Sequence, residues 1–222
     1  MQTPAVIFDM DGVLVDSYHA HFESWRGVYS DLGIEYTEAA FAADFGRTSR
    51  DILRRTLGDG LTDDRIRELD DRKEAVYREI IRENFPAMDG AAELVDALAA
   101  GGFKLAIGSS GPPENVALVL EKFPAGDRIH AAVTGADVTR GKPDPQVFQL
   151  AAERLGVSPA SCAVVEDAVH GVEAAQRAGM ISIALVGTTT RKALSAADLV
   201  VDSLRELTPQ VIGQRIRRKG IS

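Results

Sequence analysis

Cysteine is nearly missing from this sequence. Cys162 stands alone among 222 residues, so no internal disulfide can form, and the composition suits a reducing compartment. Its neighbours Ala163, Val164 and Val165 are apolar, which marks it as a small core side chain and not a nucleophile. No apolar run approaches the roughly 18 residues that a membrane-spanning helix needs. No secretory leader pattern is visible either, since Met1-Gln2-Thr3-Pro4 runs straight into the first apolar segment. A cytoplasmic protein with no membrane partner is expected. Positive charge is also in deficit: 33 acidic against 25 basic residues leave a net charge of −8. That balance argues against a nucleic-acid partner, which calls for a basic patch. The basic run Arg215, Arg217, Arg218 and Lys219 reads as a solvated helix face. Internal repeats and low-complexity segments are absent. What remains, 45% hydrophobic and 26% charged, is the composition of a globular protein long enough for one large domain or two modest ones. A monomer is expected, with a dimer as the alternative.

One short stretch near the start organises the rest. Ala5-Val6-Ile7-Phe8 is β-branched and aromatic without a charge, the pattern of a buried strand. It stops at Asp9, and Asp11 and Gly12 follow. Glycine lets the backbone leave the strand tightly. Two carboxylates at the carboxyl end of a buried strand lie where open α/β sheets bind ligands. Such a pair is costly unless a cation or a shared proton offsets the repulsion. Hard carboxylate oxygens suit Mg²⁺, which commonly takes one or two carboxylates together with phosphate oxygens. The stretch therefore calls for a divalent metal and a phosphate.

After Asp16 the pattern turns helical. Ser17 is placed to cap a helix carrying Phe22, Trp25, Val28, Tyr29 and Leu32 at helical spacing. Further helices are expected around Thr37 to Ala43, ending near Gly46, from Thr48 through Leu57, and from Thr62 through Ile81 before Pro86. An all-helical insertion at this point reads as a small second domain over residues 16–86, splitting the other domain into 1–15 and 87–222. From Asp89 onward, helices alternate with the apolar strands 103–107, 131–134, 163–165 and 181–185. That alternation predicts an α/β fold, a Rossmann-like parallel sheet of about five strands with helices on both faces.

Three later strands also end in chemistry. The strand 103–107 runs into Gly108-Ser109-Ser110-Gly111, where a hydroxyl and free backbone N–H groups form a phosphate-binding nest. Gly141-Lys142-Pro143-Asp144-Pro145 holds a lysine before a helix start, and lysine binds phosphate as a point charge. Glu166 and Asp167 terminate the apolar strand 163–165.

Taken together, the four stretches closely resemble the four motifs of the haloacid dehalogenase superfamily of aspartate-nucleophile phosphohydrolases. They are Asp9-x-Asp11-Gly12-Val13, Ser109, Gly141-Lys142-Pro143-x-Pro145 and Glu166-Asp167-Ala168-x-x-Gly171-Val172-x-Ala174-Ala175. They span residues 5 to about 180, and the helical insertion resembles the small cap of the β-phosphoglucomutase and phosphoglycolate phosphatase subgroup. The resemblance implies that Asp9 is the nucleophile, that Asp11 is the general acid/base, and that Ser109, Ser110 and Lys142 bind phosphate. It implies Mg²⁺ held by Asp9, the Asp11 carbonyl and Asp167, with Glu166 an inner-shell or water-mediated alternative. It further implies substrate contacts in the cap from His21, the Arg47-Thr48-Ser49-Arg50 loop that follows Gly46, and Lys73, which lies near Tyr77. A closed cap would exclude water from the site.

Two departures from the mutase pattern stand out. The cap arginine that grips a second phosphate falls on Ser49, and the core lysine after the second motif falls on Pro112. A mutase needs cations for both phosphates of a bisphosphate, whereas a monophosphatase needs one site. The expected function is hydrolysis of a small sugar or polyol phosphate. Phosphosugar mutation is the alternative. A catalytically silent binding protein would have lost Asp9, Asp11, Lys142 or Asp167, and a dehalogenase would lack Asp11.

Overall fold

The structure is a computed structural model and describes residues 3–44 and 47–219. The chain divides into two compact units, one of Met1–Asp16 with Pro86–Ser222 and one of Ser17–Phe85.

The larger unit is built on strands β1 (Ala5–Phe8), β2 (Lys104–Gly108), β3 (Ala131–Val133), β4 (Cys162–Glu166), β5 (Ile181–Leu185) and β6 (Leu199–Val201). They form one sheet in the order β3-β2-β1-β4-β5-β6 with every pairing parallel. All four residues of β1 are fully buried. Val6, Ile7 and Phe8 each contribute about 1.5–3 kcal/mol of apolar transfer, so this strand takes the centre. The unit's helices are α5 (Ala91–Ala100), α6 (Pro113–Lys122), α7 (Gln146–Leu155), α8 (Val169–Arg177) and α9 (Pro209–Lys219). Ala5 and Ile7 of β1 share a core cluster with Ala106, Cys162 and Val164 and with Phe148, Ala151, Ala174 and Ala175 of α7 and α8. Alternate strand residues point to the opposite face, where α5 meets β2 and α9 meets β4 and β5.

The smaller unit is helical throughout its described residues: α1 (Tyr18–Asp31), α2 (Glu38–Asp44), α3 (Ser49–Leu57) and α4 (Asp63–Glu83). Thr48 and Thr62 cap α3 and α4 by accepting from Asp51 and Arg65 N–H groups. Phe22, Trp25, Tyr29, Phe41, Leu53 and Leu69 form its core. The chain leaves and re-enters the larger unit at adjacent points, where Asp16 N–H donates to the Pro86 carbonyl at 2.8 Å and Met88 N–H to that of Leu14 at 3.0 Å.

Three local expectations need correction. Ser17 precedes α1 but makes no side-chain cap bond, because its own backbone is already helical (φ −89°, ψ −2°) and a capping side chain needs extended backbone. The sheet has a sixth strand, β6, a three-residue edge that Asp198 and Asp202 bound too closely to read as a strand. The basic run is not wholly solvated: Arg215 donates to the Asp198 carbonyl at 2.9 Å and Lys219 to that of Met180 at 2.6 Å. Cys162 is a buried core thiol, and burial pushes its pKa up to about 12. No helix among the described residues is long and apolar enough to cross a membrane.

Candidate active site

Register brings the motif residues together. Phe8 of β1 pairs with Ile107 of β2 on one side and Val165 of β4 on the other. The residues that follow, Asp9, Ser109 and the pair Glu166 and Asp167, therefore leave three adjacent strands at the same sheet edge. Asp9 N–H extends the ladder by donating to the Val165 carbonyl at 2.9 Å.

Gly12 turns the chain after Asp9 with φ +75°, and a Cβ there would overlap the Asp167 carboxylate. The residue is glycine both for its backbone and for the space it leaves. Gly12 N–H then donates to the Val15 carbonyl at 2.8 Å, closing the turn that carries Asp11.

Glu166 is buried, and its two oxygens face different ways. Oε2 accepts the N–H groups of Asp167 and Ala168, each at 2.9 Å, which satisfies free donors at the start of α8. Oε1 accepts from Lys142 Nζ at 2.6 Å. A Cβ on Gly171 would sit inside this carboxylate, so α8 approaches only because that position is glycine.

Lys142 arrives from the loop before α7. Its Nζ donates to Asp9 Oδ1 at 2.7 Å and lies 4.8 Å from the centre of the Phe148 ring. Gln146 Oε1 accepts from Thr139 and Arg140 N–H at 2.9 and 3.1 Å, and Arg177 donates to the Pro143 carbonyl at 3.3 Å. These bonds fix the loop that aims the lysine. The Lys142–Pro143 peptide is cis.

Ser109 is buried, and its hydroxyl accepts from Gly111 N–H at 3.0 Å. Ser110 is exposed on the same turn, and its carbonyl occupies the space that a Cβ at Gly135 would need.

Carboxylates outnumber cations here. Burial raises the Asp9 pKa to about 7; Lys142 opposes the rise, while Glu166 and Asp11 add to it. Asp167 is likewise pushed well up, first by burial and then by Glu166 and Asp9. Lys142 loses by burial but gains more from Asp9 and Glu166, so it stays protonated. Asp9, Glu166 and Asp167 each offer a carboxylate oxygen, all within 4.8 Å of one another. Hard oxygens converging with surplus negative charge fit a divalent cation such as Mg²⁺.

The smaller unit has its own polar cluster. Lys73 is buried, 2.9 Å from His21 Nδ1 and 2.7 Å from Glu74 Oε1. His21 stacks on Tyr77 with ring centres 4.4 Å apart. Arg50 pairs with Asp63 at 2.6 Å, Arg47 lies 3.8 Å from Asp44, and Ser49 is the first residue of α3. Gly46 lies outside the described residues. His19 is an exposed helix-face residue 3.9 Å from Glu23.

Comparison with known proteins agrees with this geometry. Residues 3–179 match the family of haloacid dehalogenase-like hydrolases. The chain belongs to that family. A β-phosphoglucomutase of Bacillus subtilis (strain 168) is 32% identical over 215 residues, covering 94% of this chain and 93% of that one. A phosphorylated carbohydrates phosphatase of Thermotoga maritima is 35% identical over 181 residues, covering 79% and 82%. The solved structure of a family IA, variant 3 hydrolase from Entamoeba histolytica superposes with a TM-score of 0.85 at 26% identity, covering 97% of this chain and 100% of that one.

As a member of the haloacid dehalogenase-like hydrolases, the chain is an enzyme, with a phosphatase among its relatives. One residue beside the family motifs escaped the sequence reading. Thr188, in the loop after β5, donates its hydroxyl to Asp167 Oδ2. Gly187-Thr188-Thr189-Thr190 reads only as a polar turn, so nothing local announces that contact.

Proposed function

We propose that this protein is a Mg²⁺-dependent phosphatase that hydrolyses a small sugar or polyol phosphate through an aspartyl-phosphate on Asp9. One observation carries the reading: Lys142, Glu166 and Asp167 from distant segments close on Asp9 at the edge where β1, β2 and β4 end.

An Asp9 oxygen attacks phosphorus, the bond to the leaving oxygen breaks, and Asp11 delivers a proton to that alcohol. In the second half Asp11 takes a proton from water, whose oxygen attacks phosphorus and frees the Asp9 carboxylate. Lys142 stays charged throughout and offsets negative charge on the phosphoryl oxygens. Ser109 and the N–H groups of its turn hold the same oxygens. Mg²⁺ bound by Asp9, the Asp11 carbonyl and Asp167 would supply further charge neutralisation. Glu166, with both oxygens engaged, is assigned to fixing Lys142 and α8.

The turn after β2 favours hydrolysis over mutation. Gly111 has no side chain, Pro112 and Pro113 have no N–H, and Glu114 adds negative charge in the first turn of α6. From Ser110 to Asn115 the segment carries no lysine or arginine to meet a second phosphate. The helical unit is proposed as a cap supplying leaving-group contacts, with His21, Arg47, Ser49, Arg50 and Lys73 as candidates. The proposed setting is the cytoplasm, to which a lone buried cysteine is suited.

The mutase reading keeps support from the Bacillus relative. One assay separates the two. With β-glucose 1-phosphate and a trace of the 1,6-bisphosphate, a phosphatase releases inorganic phosphate. Glucose 6-phosphate appearing faster than inorganic phosphate would overturn the preference. Hydrolysis of p-nitrophenyl phosphate with and without Mg²⁺ tests the metal, and a panel of sugar and polyol phosphates tests the substrate.

A further inference from the structure

We propose that Thr188 is a positioning residue that fixes the carboxylate of Asp167 for cation binding. The inference rests on the reading of Asp167 as a metal ligand. Asp167 is 5% exposed and is repelled by its neighbours Glu166 and Asp9. The ammonium of Lys142 donates to Asp9 and to Glu166. Asp167 draws a hydrogen bond from another quarter: the Thr188 hydroxyl donates to Oδ2 and lies 3.3 Å from the Asp167 carbonyl.

Thr188 is fixed from a second side as well. Its Cγ2 methyl lies 3.1 Å from the place a Cβ on Gly12 would take, so the residue packs against the turn that follows the nucleophile. One side chain from beyond β5 thus touches both the β1 turn and the β4 carboxylate. A hydroxyl on Oδ2 pins the side-chain torsion of Asp167. Bonds of this kind behind a metal ligand typically govern metal affinity by about 10- to 100-fold.

Thr188→Val keeps the branched shape and removes the hydroxyl, while Thr188→Ser keeps the hydroxyl and removes the methyl. Mg²⁺ affinity is read by calorimetric titration of the metal-free protein, with its melting temperature as a control. The expected result is a Kd for Mg²⁺ raised about 10- to 100-fold in Thr188→Val and close to wild type in Thr188→Ser, with little change in metal-free melting. At saturating Mg²⁺, kcat should recover while the Mg²⁺ concentration for half-maximal rate stays high. Should Thr188→Val fail to fold, Thr188→Ala carries the same titration. Wild-type affinity in Thr188→Val, or equal losses in the Val and Ser variants, overturns the role of Thr188 and leaves the metal reading intact. Wild-type protein that binds no Mg²⁺ overturns both.

Discussion

The ammonium of Lys142 donates to Asp9 Oδ1 at 2.7 Å across 133 residues of sequence. The same ammonium reaches Glu166 Oε1 at 2.6 Å, so one cation balances the half-buried Asp9 and the buried Glu166. Removing one partner of such a buried group typically costs about 3–5 kcal/mol. Lys142→Met should lower both the melting temperature and kcat, the latter by about 100-fold or more. Lys142→Arg should not restore activity, because a planar guanidinium does not replace a point charge in this space. Urea denaturation and steady-state kinetics on the two variants check both effects.

Asp9→Asn should abolish turnover while leaving the protein folded and able to bind phosphate, since the nucleophile is lost and the cradle remains. Asp11→Asn should slow turnover by about 100- to 10,000-fold, with a phosphorylated protein accumulating. Mass spectrometry after rapid quench reads the adduct, and full activity in either variant would refute the assigned roles.

Stability and metal binding should both follow pH through the raised carboxylates. The Asp9 pKa is raised from 3.8 to about 7 by burial, partly opposed by Lys142. In the metal-free protein the native state then holds protons that the unfolded chain releases. The stability this contributes is complete below the unfolded pKa of 3.8 and is lost as pH rises through about 7. Mg²⁺ must displace the same protons. Its increment to the melting temperature should be small near about pH 5 and grow toward about pH 8. A thermal-shift series with and without millimolar Mg²⁺ tests this; an increment that shrinks with rising pH contradicts it.

Gly171→Ala should be costly for a residue with so small a change. Its methyl would enter the Glu166 carboxylate, and overpacking of this kind costs about 1–3 kcal/mol. Displacing Glu166 also releases Lys142, so activity should fall together with stability. Chemical denaturation and p-nitrophenyl phosphate kinetics read the pair of effects.

The sheet's chemistry was legible because buried parallel strands are almost uniformly apolar, so Asp9, Ser109 and Glu166 stand out as abrupt ends. The lysine was legible from the glycine and prolines around it. Which oxygen each partner takes was not. Glu166 stands beside Asp167 as the inner-shell or water-mediated alternative, and only the structure shows its Oε2 accepting from two backbone donors and its Oε1 from Lys142. Thr188 was invisible because its partner lies 21 positions earlier, and a threonine-rich turn has no periodicity. The edge strand β6 was missed because three residues, two of them only half-buried, are too few to show a pattern. Arg50 is legible as a candidate substrate group, whereas its ion pair with Asp63, set by how α3 and α4 pack, is not.

The place of β1 has a consequence for how the protein is made. Val6 pairs with Leu105 and with Ala163, so this apolar strand leaves the ribosome long before either neighbour exists. The helical unit, contiguous from Ser17 to Phe85, can form its core meanwhile. Until Cys162–Glu166 is synthesised, one edge of β1 has no partner and remains open to pairing with other chains. Nascent or truncated chains that end before β4 therefore leave this edge open to pairing.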